Sequence, residues 1–474
     1  MKVNKKKEYK KRKISRLLMK PKNNKDIKKN NEVSQKQKAV KKKKKSDKAE
    51  CNIENTKCNK RNNPLVLFFI LFVLMSVVAA GFLSVNYFPD KYEETTSSDS
   101  VTEQTAETTT EESVTEAFCL NNYDTIQQQI DYIAERNGAV GVQVAVIEDG
   151  SISGLFNYGW AKLNKTEMTD DHKIRVASIS KILVGIAAML LYEDGIIDID
   201  KSIAGIWDTE IQNPYYPDDP ITIRNMLNHT SSIYSYGDGY SMYYSSVKNR
   251  FKNCYSELRP GDISAWCYNN YVFRALGMTL ELAADRKLDD ILAEKVYGPL
   301  DIDAAFAAGD IKGTDLIVTL YDEDNNVERS ADRLSTFHCS ENPGAEGLYY
   351  AGGLTISAND LAKIVCMLVN EGEYEGQQIL SKKSVRIMES CFTEPLEDGT
   401  YQGTPLVYMP GLYGREGIYF HTGSAYGSFN CMSYDPKTGD GVVVLTTGAV
   451  DLARTADIRY ICDDINSFIY DVIR

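Results

Sequence analysis

Twenty-two consecutive residues without a charge, PLVLFFILFVLMSVVAAGFLSV (Pro64 to Val85), constrain this chain more than any other feature. Inside a hydrocarbon core of about 30 Å the backbone has no water to bond, so a run of this length is expected to form one transmembrane helix. A cleaved secretory signal is the rival, but its apolar core normally runs only about 7 to 15 residues. Charge falls unequally on the two sides. Residues 1–61 hold 25 Lys or Arg against 6 Asp or Glu, whereas the remainder holds 29 against 60, so the net charge of −12 is +19 joined to −31. The basic side is expected to stay in the cytoplasm and the rest to lie outside the cell membrane.

Four regions follow from this partition. Residues 1–63, with Lys41 to Lys45 as the densest run, have too little apolar content to fold and read as a disordered basic tail. The expected partner of that tail is anionic membrane lipid rather than nucleic acid, because it adjoins the span at residues 64–85. Residues 86–118 are rich in Thr, Ser and Glu and read as a flexible, self-repelling stalk. Residues 119–474 have ordinary globular composition and room for one large core or two joined lobes. Ten cysteines form no CxxC pair, and the four histidines (His172, His229, His338 and His421) form no HExxH, so neither a metal nor any other cofactor is expected.

Within the outer region, helical spacing runs through Ile126, Ile130 and Ile133 and stops at Gly138. GVQVAVIEDGSISGLFNYGWA then reads as a hairpin turning at Glu148-Asp149-Gly150-Ser151. VASISKILVGIAAMLLYEDG (Val176 to Gly195) reads as a buried helix closed by Gly195. Short helices and Tyr-rich loops occupy the middle, with a small hairpin over Ile317 to Val327. GIYFHTG, SFNCMSY and VVVLTTG read as strands, and a terminal helix is expected from Asp451 to about Val472. Strands at both ends around a helical middle predict an α+β fold, a mainly antiparallel sheet flanked by helices with an inserted helical lobe. A cleft between the lobes is the natural place for a site.

Nothing in helix packing asks for the polar mouth of VASISKILVG. Ser178 and Lys181 stand three apart, one turn from each other on one face, where a lysine can take a serine's proton once its own charge is lost. The spacing alone is weak evidence. Ser245 and Lys248 repeat it in what reads as a loop, and Ser178 could simply cap the helix. Two later stretches add polar residues: WCYNNYVFRALG contains Tyr268 and Asn270 ahead of a helical pattern, and FHTGSAYG ends a strand in small residues that let a ligand lie against backbone.

In this order the three motifs, SISK, YNN and HTG, resemble those of the serine penicillin-recognising enzymes, in the branch of class C β-lactamases, D-Ala-D-Ala carboxypeptidases and related esterases. ITIRNMLNHTSSI, GLYYAGGLTISANDLAKIVCMLVNEGEYEGQQILSKKSV and SAYGSFNCMSYDPKTGDGVVVLTTGA resemble further segments of that family, so the likeness spans about residues 120–474. It implies a serine β-lactamase/DD-peptidase-like fold with Ser178 as acylated nucleophile and Lys181 as its proton partner. Tyr268 would be general base or relay, with its phenol pKa lowered by neighbouring cations. Asn270 would hold the substrate amide, His421 and Thr422 would meet the substrate's carboxylate end, and the strand through Gly423 and Ser424 would complete the binding edge. The backbone N–H groups of Ser178 and Ser424 would form an oxyanion hole, and Ser180 would be a spectator.

Three features depart from the family pattern: His421 stands where class C β-lactamases usually carry Lys, Ser232 where Gly is frequent, and bulky Tyr271-Val272 follow the second motif. The reading is a membrane-anchored extracellular serine hydrolase acting on D-alanyl peptides or esters of the cell envelope, able to meet a β-lactam. The alternatives are a general esterase or weak β-lactamase and, from another class, a penicillin-binding sensor or pseudoenzyme. The Tyr-rich loop Ile233 to Ser246 could either wall the cleft or pack against the helical lobe.

Overall fold

The computed structural model describes residues 122–473, apart from 237–239 and 392–393. The expected tail, span and stalk lie outside the described residues. Among those described, no helix is long and apolar enough to cross a membrane.

The chain opens with helix α1 (Asn122–Arg136), which buries Ile130 and Ile133 as its spacing predicts. Strands β1 (Gly141–Glu148) and β2 (Ser151–Lys162) form the expected hairpin. Its turn residues Asp149 and Gly150 take φ 48° and 74°, the left-handed pair that matches the twist of a tight hairpin. A short β3 (Thr166–Glu167) follows. After the helical middle come β4 (Tyr401–Gln402), β5 (Val407–Pro410), β6 (Gly417–Ala425), β7 (Ser428–Tyr434) and β8 (Gly441–Thr447). The sheet order is β4-β5-β6-β7-β8-β1-β2-β3, with every neighbouring pair antiparallel. Its two halves meet where β8 pairs with β1, from Gly141↔Thr447 to Ile147↔Gly441.

Alternation along β1 explains why the sheet is covered twice. Val142, Val144 and Val146 face a core completed by α1 and the terminal helix α6 (Tyr460–Val472). Ala145 and Ile147 face the opposite core, which holds the buried helix α2 (Ser180–Glu193) and α5 (Ala358–Val369). A strand sandwiched this way reads as an almost unbroken apolar run, as β1 does. Its buried polar member, Gln143, donates to Thr169 O and His172 O and accepts from the Ala358 N–H, fastening the chain before α2 to the start of α5.

Between β3 and β4 lies the inserted helical lobe. It includes α3 (Asn270–Ala284) and the short α4 (Leu288–Leu292). The Tyr-rich loop packs against this lobe: Tyr236 meets Tyr271 at 5.0 Å, and the Arg250 guanidinium lies 4.4 and 4.3 Å from the rings of Tyr236 and Tyr240. Ser245 and Lys248 fall on a helix (Tyr244–Arg250), not in a loop, and Lys248 bonds the Tyr244 hydroxyl. The terminal helix begins at Tyr460 rather than Asp451, because residues 451–459 form an irregular segment in which Ala456 and Asp457 adopt positive φ.

Candidate active site

Helix α2 is apolar around its whole circumference, and twelve of its residues are buried, so it threads the centre of the domain. A single 3-10 turn, Ala177–Ile179, carries Ser178 just ahead of it. Ser178 caps nothing; neither turn nor helix has a side-chain cap. Ala177 is held at φ 48°, a strained conformation for a residue with a Cβ, so the turn is imposed by its surroundings. One restraint is Ser180, whose fully buried hydroxyl donates to Ala177 O at 2.6 Å and accepts from the Leu354 N–H at 2.9 Å. Far from being a spectator, Ser180 ties the Ser178 turn to the chain at Leu354.

Lys181 is completely buried, with its Nζ 3.0 Å from Ser178 Oγ, 2.9 Å from Asn270 Oδ1 and 2.9 Å from Ala351 O. Three acceptors match the three N–H donors of an ammonium. The aromatic faces of Tyr268 and Phe273 lie 4.8 and 5.5 Å away. Asn270 reaches this place as the first residue of α3. Asn269 caps that helix, accepting from the Val272 N–H at 3.1 Å and donating to Ile233 O at 2.8 Å.

Tyr268 faces the same cavity as Ser178. The expected lowering of its phenol pKa is reversed. Although 40% of the residue is exposed, desolvation of the hydroxyl pushes it up to about 12, the Ser178 hydroxyl opposing this and the Asp457 charge adding to it. His421, only 4% exposed, donates from Nδ1 to Thr422 O at 2.7 Å, which leaves Nε2 as the lone-pair nitrogen. Burial and the Lys181 charge push its pKa down to about 4, so it stands neutral at pH 7 and offers a substrate carboxylate no charge. The expected carboxylate role of His421 therefore does not rest on an ion pair.

Gly423 sets the approach of strand β6 to the Ser178 turn. A Cβ there would stand 2.1 Å from Val176 O and 3.3 Å from Ser178 N, so only glycine lets the strand lie against the turn. Ser178, Tyr268, Asn270, His421, Thr422 and Ser424 all line one cavity of about 440 Å³, with Lys181 and Gly423 behind them. The structure thus gathers all eight expected residues. A cavity of about 510 Å³ beside α1 and α6 contains none of them.

Trp266, Asp398, Gln402, Asp457 and Arg459 also border the Ser178 cavity and were missed. Trp266 Nε1 donates to Gln402 Oε1 at 3.2 Å, joining two cavity residues far apart in sequence. Arg459 Nη2 lies 3.4 Å from Ser424 Oγ, while its other nitrogens pair with Asp451 and Asp457. Arg459 arrives on the segment assigned above to the terminal helix, and a helix there would have carried it away. The only local signal was Trp266, two residues before Tyr268.

An antiparallel sheet between helical layers, with a serine hydrogen-bonded to a buried lysine and a tyrosine beside them in one cavity, defines a serine hydrolase of the penicillin-recognising type. A family model described as Beta-lactamase matches residues 126–463, and the chain belongs to that family. It is 22% identical over 338 residues to the D-alanyl-D-alanine-carboxypeptidase/endopeptidase AmpH of Escherichia coli strain K12, covering 68% of this chain and 83% of that one. It is 25% identical to a D-aminopeptidase of Brucella anthropi over 51% of this chain and 45% of that one. Among solved structures, the octameric penicillin-binding protein homologue from Pyrococcus abyssi shares the fold at TM-score 0.58, with 19% identity over 72% of this chain and 75% of that one. The D-amino acid amidase from Ochrobactrum anthropi SV3 does so at TM-score 0.56, with 20% identity over 74% and 97%.

Proposed function

We propose that this chain is a membrane-anchored extracellular serine hydrolase that forms an acyl-enzyme on Ser178 and acts on D-alanyl peptides or esters of the cell envelope. The observation that carries the chemistry is the buried Lys181 Nζ, 3.0 Å from Ser178 Oγ and held by two further acceptors. Lys181, which must first give up one ammonium proton, takes the Ser178 proton as Oγ attacks the substrate carbonyl; the tetrahedral adduct expels the leaving group, which takes a proton from Tyr268 that Lys181 then restores, and water hydrolyses the ester on Ser178. At a pKa of about 12 the Tyr268 phenol keeps its proton at neutral pH, so its part is to donate to the leaving group rather than to act as a phenolate. Backbone N–H groups of Ser178 and Ser424 would hold the oxyanion, each typically worth about 3 to 4 kcal/mol. The D-alanyl substrate rests on the names of the relatives, and the anchoring on residues 64–85 with the basic tail before them.

A general esterase is the second reading. It is favoured by a neutral His421 and by an Arg459 already paired with two aspartates, which together leave little free positive charge for a carboxylate.

The test is the intact mass of the full chain after exposure to a penicillin, with Ser178→Ala as control. An adduct on the wild type alone supports the D-alanyl reading, and its lifetime separates a turning-over enzyme from a sensor. No adduct, with the penicillin intact and short uncharged esters hydrolysed, replaces that reading with the esterase. Protection of a C-terminal tag from protease added to intact cells would refute the extracellular placement.

A further inference from the structure

A second polar cluster lies in the helical lobe, away from the residues that line the Ser178 cavity. Asp289 of α4, Asp310 and Cys339 come from three separate segments, yet one ligand atom of each lies within 4.8 Å of the others. They border or adjoin a cavity of about 470 Å³ whose lining includes Asp290, Asp301 and Asp303 but only two lysines, Lys287 and Lys312. An independent feature points into the same space. Tyr297 lines this cavity, is 5% exposed, and its enclosed hydroxyl has no hydrogen-bond partner. A buried hydroxyl left unpaired costs about 1 to 3 kcal/mol, so its presence calls for a ligand or water that it can bond.

We propose that Asp289, Asp310 and Cys339 bind a zinc ion that ties these three segments together, with a water in the fourth position bonded to the Tyr297 hydroxyl. A tetrahedral zinc with bonds of about 2.0 Å to oxygen and 2.3 Å to sulfur separates its donors by roughly 3.3 to 3.5 Å, so these side chains need close by no more than about 1.5 Å. The thiol selects zinc over calcium and magnesium, which take oxygen ligands only. The outer contacts suit ligands held in place. Asp310 accepts from His338 Nδ1–H at 2.7 Å and from the Cys339 N–H at 2.8 Å, and Asp289 accepts from the Phe306 N–H at 3.1 Å. Binding displaces the Cys339 proton to solvent and gives three crowded acidic groups a shared cation.

The experiment strips the full chain with a chelator, equilibrates it with zinc, dialyses, and measures bound zinc and thermal unfolding together. The expected result is one zinc retained per chain with a raised Tm, loss of that equivalent in Cys339→Ser and Asp289→Asn, and retention in Cys391→Ser. Cobalt(II) on the wild type supplies a check that needs no variant: ligation by Cys339 gives a thiolate-to-cobalt charge-transfer band in the near ultraviolet. No retained zinc, retention undiminished by Cys339→Ser, or bound cobalt without that band would each overturn the proposal.

Discussion

Gly423→Ala tests the geometry around Ser178 most directly. The added Cβ would stand 2.1 Å from Val176 O, whereas a carbon and a carbonyl oxygen settle at about 3.3 Å or more. Strand β6 and the Ala177–Ile179 turn must therefore part by about 1 Å. Neither side can yield cheaply: β6 is paired along its length with β7, and the turn is tied down by Ser180. Misplacement of this size at a reacting centre costs on the order of 10²-fold in rate, equivalent to about 2.7 kcal/mol of barrier. Overpacking adds about 1 to 3 kcal/mol of lost stability. The assay is the time course of penicillin acylation by intact mass, with far-UV circular dichroism to establish folding. Acylation within threefold of wild type by a folded Gly423→Ala protein of unchanged Tm would refute the argument that the close approach of β6 positions the nucleophile.

Three further outcomes are expected. Ser180→Ala leaves the buried Leu354 N–H unpaired and should cost about 1 to 3 kcal/mol in urea unfolding while slowing acylation; unchanged stability would make Ser180 a spectator after all. His421 titrates near 4 when folded and near 6.5 when unfolded, so it has no effect above pH 6.5. Between these values the unfolded chain takes up a proton that the native site refuses, and stability falls by about 1.4 kcal/mol per pH unit. Tm measured from pH 7 to 4.5 should therefore fall less steeply in His421→Gln than in wild type, and equal slopes would sink the assignment. Lys173→Met strips Asp360 of a partner 2.5 Å away in a pair only 7% and 8% exposed, leaving Lys363 at 3.3 Å, and should cost about 3 kcal/mol. Recovery of most of that loss in Lys173→Met/Asp360→Asn would identify the uncompensated carboxylate as its cause.

Much of the scaffold was legible because it rests on local patterns. Ile126, Ile130 and Ile133 mark α1 by spacing, and Asp149-Gly150 supply a turn that few residue pairs can adopt. Ser232, which stands where the related segment often has Gly, sits at φ 54°, and its hydroxyl accepts from buried Asn213 Nδ2 at 2.9 Å, a bond that offsets the strain. The terminal helix starts nine residues later than its sequence pattern predicts. Periodicity could not reveal that Asp457 and Arg459 were wanted in a loop at the cavity mouth.

By itself the sequence determined the elements and the sheet with its inserted helical lobe, because residue type and spacing are local properties, while its family resemblance named Ser178, Lys181, Tyr268, Asn270 and the His421–Ser424 strand as the residues to expect together. Tertiary structure alone decided the protonation states at that site. The pKa values of Tyr268 and His421 depend on desolvation and on charges brought from elsewhere in the chain, opposite in outcome to what the family resemblance implied for the phenol. It also decided that Ser180, Arg459 and the Asp289–Asp310–Cys339 cluster matter, since each acts through partners dozens to more than a hundred residues away, and no reading of local pattern encodes a contact made by packing.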